Sequence, residues 1–141
     1  MKTEQWISQQ LHSPNLDSES LATHAAVTRQ FRRDEVNQPV IFIGTGTCGI
    51  GAGALKTLAK IRTWLEQRNT QASIAEVGCI GLCAVEPIME VQLPGRCRIS
   101  FQDVSEQSVD ALLDAVFSEK VPPGNILGQH RIEGLRPWAG V

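Results

Sequence analysis

Val40-Ile41-Phe42-Ile43-Gly44-Thr45-Gly46-Thr47-Cys48-Gly49-Ile50-Gly51 decides the architecture, because four apolar residues break off into a glycine-rich loop that carries a cysteine. A continuous apolar run of this length reads as a central strand covered on both faces. The pattern returns downstream, where residues 72–77 read as a strand and are followed by the loop Gly78-Cys79-Ile80-Gly81-Leu82-Cys83. Two parallel neighbouring strands would release both loops at one edge of a sheet. That places Cys48, Cys79 and Cys83 together and leaves the fourth cysteine, Cys97, elsewhere.

After the first loop, Ala54, Leu58, Ile61 and Leu65 recur at helical spacing up to about Asn69, with Lys56, Lys60 and Glu66 on the other side. Strand, helix and strand make a right-handed βαβ unit. Met89, Val91 and Leu93 then alternate with Glu90 and Gln92, Pro94-Gly95 turns the chain, and Cys97, Ile99 and Phe101 alternate back, as in a β-hairpin. Ser105 is placed to cap a last helix running to about Glu119, with Val104 and Val109 as its hydrophobic staple and Val109, Leu112, Leu113 and Val116 as its apolar face. The order is βαβ followed by ββα, an α/β fold.

On the amino-terminal side, residues 3–11 and 18–33 read as two helical segments with only a thin apolar stripe in the second, Leu21, Ala25, Ala26 and Phe31. Residues 1–37 are therefore expected to be a helical appendage and residues 38–120 the main domain. Residues 121–141 begin with Val121-Pro122-Pro123-Gly124, which cannot extend a helix. They are expected to form an extended tail or linker. Ile126, Leu127, Ile132, Leu135 and Trp138 are too apolar for a purely solvated one, so the tail is expected to dock, with Trp138 partly buried.

Composition sets the bounds. The 141 residues are 42% hydrophobic and 20% charged, ordinary values for a globular protein. A net charge of -2 with scattered Lys and Arg argues against a nucleic-acid surface. No run of 18 apolar residues is present for membrane insertion, and the start has no apolar signal region and carries Glu4. A cytoplasmic setting is expected, where close-spaced cysteines mean metal or redox chemistry more often than structural disulfides.

Gly44, Gly46 and Gly49 match G-x-G-x-x-G between a strand and a helix, the context of a dinucleotide fingerprint. Only about 65 residues follow Val77 and they form a hairpin, so the second mononucleotide half is missing. The simpler reading is a tight turn in which no Cβ obstructs a close neighbour. Cys48, just ahead of the helix, would have its thiolate favoured by the helix dipole, and Cys79 and Cys83 are spaced C-x3-C with glycines free to wrap a buried object. Three readings stand side by side: iron ligands; a thiol redox enzyme with Cys48 as nucleophile and Cys79 or Cys83 as resolving thiol; or three small buried thiols lining a loop cavity. Cys97 faces the core and reads as structural. His12, His24 and His130 lie in the appendages, and Trp6, Trp64 and Trp138 read as packing residues.

Residues 41–54, I-F-I-G-T-G-T-C-G-I-G-A-G-A, with residues 76–91, E-V-G-C-I-G-L-C-A-V-E-P-I-M-E-V, resemble the thioredoxin-like 2Fe-2S ferredoxin domain. That domain occurs in the small iron-sulfur subunit of complex I and at the start of flavin subunits of NAD(P)-linked hydrogenases and formate dehydrogenases. The resemblance covers roughly residues 38–120, and residues 128–141 look like the linker that leads into a flavin- and NAD-binding domain. It implies a thioredoxin-like four-stranded mixed sheet in the order 2-1-3-4 and a non-catalytic, accessory electron-transfer domain of a multi-subunit oxidoreductase such as NADH dehydrogenase or NADP-reducing hydrogenase. The implied cofactor is a 2Fe-2S cluster on Cys48, Cys79 and Cys83, with no flavin or NAD site in the chain itself. The implied partners are a flavin- and NAD-binding domain or subunit and other iron-sulfur subunits. The family pattern has a further cysteine where this chain has Ile43, which cannot ligate iron. With that place lost, the resemblance also allows a docking module without a cluster, and Ile43→Cys is expected to raise iron occupancy.

Overall fold

The computed structural model describes residues 18–122 and 124–141, so the short helix expected at residues 3–11 lies outside the described residues. The chain divides into two compact units with the boundary between Glu35 and Val36. In the first, helix α1 spans Ser18–Arg32, with Glu19 in its first turn and Arg29 and Arg32 in its last, each complementing the helix dipole. Its Leu21 and Phe31 side chains are exposed, in keeping with the thin stripe seen in the sequence.

The second unit is built on a five-stranded mixed sheet in the order β2-β1-β3-β4-β5. Strand β1, Val40–Gly44, is buried along its whole length. It pairs in parallel with β2, Ser73–Val77, and antiparallel with β3, Met89–Gln92, in registers that put Gly44 beside Val77 and Ile43 beside both Glu76 and Met89. Strand β4, Arg98–Phe101, returns antiparallel to β3 with Val91 opposite Ile99. The four strands expected from the sequence are thus present in the order 2-1-3-4.

The helix after β1 is broken. A single turn, α2, covers Thr47–Gly51, and α3 begins afresh at Ala54–Gln67 after Gly53, whose φ of 104° lies in the left-handed region that suits glycine. Helix α4, Val109–Phe117, starts one turn later than the Ser105 cap implied. Residues 105–108 form a turn in which the Ser108 and Val109 N–H groups donate to the Ser105 carbonyl. Val104 and Val109 are both fully buried. One core holds the sheet to α3 and α4: Ile41, Ile43, Met89, Val91, Ile99 and Phe101 meet Leu58, Ile61 and Trp64 from α3 and Leu112, Leu113 and Val116 from α4. Trp64 also donates through Nε1 to Asp114 Oδ1 at 3.0 Å, which ties the two helices together.

The difference from the expected architecture lies in the tail. Residues 126–130 form a fifth strand, β5, Ile126–His130, antiparallel to β4 with a slip in register between Ser100 and Phe101. Beyond it the chain folds back. Gln129 accepts from the Trp138 N–H at 2.8 Å and donates to the Trp138 and Val141 carbonyls, while Trp138 Nε1 donates to the Cys97 carbonyl at 2.7 Å. Trp138 is 1% exposed, deeper than the partial burial expected, and the Arg96 guanidinium lies 4.0 Å above its ring.

Candidate functional site

The two cysteine loops leave the sheet side by side. The Thr45 N–H donates to the Val77 carbonyl at 2.9 Å, and the Gly44 N–H donates to the Ile88 carbonyl at 3.0 Å, so the first loop is fastened to the end of β2 and to the start of β3. Glycines make the contact between the loops close. A Cβ on Gly46 would stand 3.2 Å from the Cys79 nitrogen and 3.4 Å from its Cβ, and a Cβ on Gly49 would strike the Gly44 carbonyl oxygen at 2.2 Å. The G-x-G-x-x-G pattern therefore serves close approach of backbone to backbone.

Cys48 is the second residue of α2 rather than the residue ahead of a long helix. In the other loop, the Cys79 and Cys83 sulfurs stand 3.5 Å apart, and the Gly81 N–H donates to Cys79 Sγ at 3.2 Å. Gly81 adopts φ 87°, and Cys83 opens a short 3-10 turn, Cys83–Val85. Cys48, Cys79 and Cys83 are all free and exposed, which removes the reading of three buried thiols lining a cavity. Cys97 is free and buried, its thiol 3.7 Å from the Leu135 carbonyl it faces. Among the described residues no three His, Cys, Asp or Glu side chains gather closely enough to hold one metal ion, so Cys79 and Cys83 are a pair and Cys48 does not complete a single-ion site with them.

Ile43 lies at 0% exposure in the helix-facing core with Ile41 and Met89. A thiol in its place would be delivered into that core, so Ile43→Cys is not the substitution that adds a ligand to the loops. The residue missed in the sequence is Glu86. It is 8% exposed; its Oε2 accepts from the Ile88 N–H at 2.8 Å, and its carboxylate lies against Gly44 and Gly49. The signal available was a lone acid between the uncharged stretch 77–85 and the apolar start of β3.

The sequence matches no protein-family model and no curated protein. Solved structures do match. A thioredoxin-like [2Fe-2S] ferredoxin from Aquifex aeolicus superposes with a TM-score of 0.56 at 13% identity, covering 71% of this chain and 99% of its own. The wild-type protein in a second structure gives 0.55, again at 13% identity, over 66% of this chain and 99% of the other. A cysteine-to-serine variant of it gives 0.54 at 13% identity over 64% and 98%. The fold is that of the thioredoxin-like ferredoxins. Nearly the whole ferredoxin fold is contained in the chain, and at this identity the likeness is one of architecture.

Proposed function

We propose that this chain is an electron-transfer domain of the 2Fe-2S ferredoxin type, an accessory part of a multi-subunit NAD(P)-linked oxidoreductase such as NADH dehydrogenase or NADP-reducing hydrogenase. The observation that carries the reading is the exposed Cys79 and Cys83 pair, with sulfurs 3.5 Å apart, abutting the Cys48 loop on a ferredoxin fold. Thiolates are the usual ligands of such clusters. The chemistry of the donor set fits: Cys79 and Cys83 would serve one iron and Cys48 the other. The Gly81 N–H is already aimed at a sulfur, the kind of bond that tunes a cluster's potential. Bound there, the cluster would supply a one-electron store close to the protein surface.

The same end of the molecule suits docking. Ile50, Leu55, Ile80 and Leu82 are exposed within the two stretches that carry the thiols, and neither residues 44–55 nor residues 77–85 contain a charged side chain. A neutral, apolar rim fits the close approach of a partner domain. We assign that partner as a flavin- and NAD-binding domain or subunit, with other iron-sulfur subunits beyond it, in a cytoplasmic assembly.

The test is anaerobic reconstitution of the chain, followed by iron and sulfide analysis and electron paramagnetic resonance of the reduced protein. About two irons and two sulfides per chain with a reducible signal support the reading. Iron-free protein that cycles reversibly between thiols and a disulfide overturns it in favour of a thiol enzyme using Cys48 as nucleophile, which needs no iron. Iron-free protein without thiol chemistry, yet still bound by a flavin- and NAD-binding partner, would leave a docking module.

A further inference from the structure

The cysteine set is one ligand short, and the space beside Cys48 is not empty. A cluster of two irons takes four protein ligands, most often four thiolates. Cys79 and Cys83 form a pair, Cys48 adds a third donor, and Ile43 is enclosed in the core. Glu86 is the candidate for the fourth, because its carboxylate lies against both ends of the stretch that carries Cys48. A Cβ on Gly44 would lie 3.0 Å from its Oε2 and 3.2 Å from its Oε1, and a Cβ on Gly49, the residue after Cys48, would lie 3.3 Å from Oε2. The carboxylate thus fills the space that a side chain on Gly44 would take.

Its surroundings are unusual for a carboxylate. Glu86 is more than nine-tenths buried, it makes no ion pair among the described residues, and Oε2 alone is held, by the Ile88 N–H. Buried charges in proteins are normally paired or bound to a metal. Oxygen H-bonded on one side and free on the other is a common state of a metal-binding carboxylate, since outer bonds orient the ligand. Ile88 immediately precedes β3 and is bonded to Gly44, which closes β1, so the side chain is positioned by the edge of the sheet.

We propose that Glu86 is the fourth protein ligand, sharing the second iron with Cys48, so that the cluster carries three thiolates and one carboxylate. The assignment rests on the cluster-binding function proposed above. Non-thiolate ligation on one iron raises the reduction potential of a two-iron cluster, as imidazole does in Rieske centres. A carboxylate keeps the ligand's single negative charge but gives less electron density than sulfur, so a smaller rise in the same direction is expected. The simple alternative is that Glu86 only anchors the Ile88 N–H.

Glu86→Gln separates the two, because the amide oxygen can still accept from Ile88 but the anionic donor is gone. The full chain and this variant are reconstituted anaerobically and compared for iron, sulfide, midpoint potential and thermal unfolding of the metal-free form. Cluster retention about tenfold weaker than in the unmodified chain, with unfolding unchanged, is the expected result. A second variant, Gly44→Cys combined with Glu86→Ala, exchanges the carboxylate for a thiol in the same space. It should hold a full cluster at a lower midpoint potential than the unmodified chain, and it decides the matter should Glu86→Gln fail to fold. Full iron and an unchanged potential in Glu86→Gln, or an unchanged potential in the exchange variant, overturn the ligand assignment while leaving the ferredoxin function standing. An unmodified chain that takes up no cluster overturns both.

Discussion

Cys97 and the Cys79–Cys83 pair are the same residue type in opposite settings, and the contrast shows where the domain keeps its stability and where its chemistry. Around Cys97 nearly every polar group is used: its N–H donates to the Arg136 carbonyl at 2.9 Å, its carbonyl accepts from Trp138 Nε1, and the tail closes over its thiol. Around Cys79 and Cys83 the backbone is shaped by glycines, the apolar neighbours face outward, and the sulfurs are open. Sites that must admit a cofactor or partner are drawn from the less stable end of a structure. The tail compensates at the other end by adding a strand, a buried indole and an Arg136–Glu119 ion pair at 3.4 Å.

The largest effect is expected where the tail is anchored. Trp138→Ala removes a fully buried indole, its hydrogen bond to Cys97 and the cover over the Arg96 guanidinium, and should cost about 3–5 kcal/mol in chemical denaturation. Cys97 should then react with a thiol reagent in the folded protein. A loss below about 1 kcal/mol with Cys97 still protected would show that the tail is not what closes this end.

Next in size is Gly49→Ala. The new methyl meets the backbone oxygen of Gly44, which has no side chain to swing away, and overpacking of this kind costs about 1–3 kcal/mol. Gly51→Ala is the matched control, since nothing stands within 4 Å of its Cβ position. Gly49→Ala should weaken iron uptake in reconstitution and Gly51→Ala should not. Equal melting temperatures for the two would mean that the loop yields more easily than its geometry implies.

Why the loops were legible and the tail was not is a matter of range. The apolar run of β1, the helical repeat Leu58, Ile61 and Leu65, and the alternation through Ile99 and Phe101 are local signals, and each became the expected element. Strand β5 has Gly128 in its middle and no clean alternation. It exists because β4 offers an unpaired edge and because Gln129 bridges to Trp138 and Val141, contacts that span nine and twelve residues. The break between α2 and α3 follows from Gly53, whose backbone conformation no apolar pattern encodes. Cys48, Cys79 and Cys83 could be read from spacing in the sequence. Glu86 stood out only as an isolated acid, and its place against Gly44 and Gly49 could not be read, because it depends on β3 lying beside β1.

The smallest stability change is expected at the thiols themselves, and it sharpens the contrast most. Cys79→Ser exchanges one atom at an exposed position, where water can take over the bond from the Gly81 N–H, so the metal-free domain should keep its stability to within about 0.5 kcal/mol. Cys83→Ser should behave alike, since its contact with Cys79 is between two open sulfurs. In both variants the number of thiols that react at once with a thiol reagent should fall by one, Cys97 staying silent until the protein unfolds. Iron retention should fall with the same substitutions, because a hydroxyl is a poor replacement for thiolate on iron. The two measurements together separate chemistry from architecture: iron lost at constant stability means the pair is there for a ligand. A loss of more than about 1 kcal/mol in the metal-free form would mean instead that the pair braces its own loop.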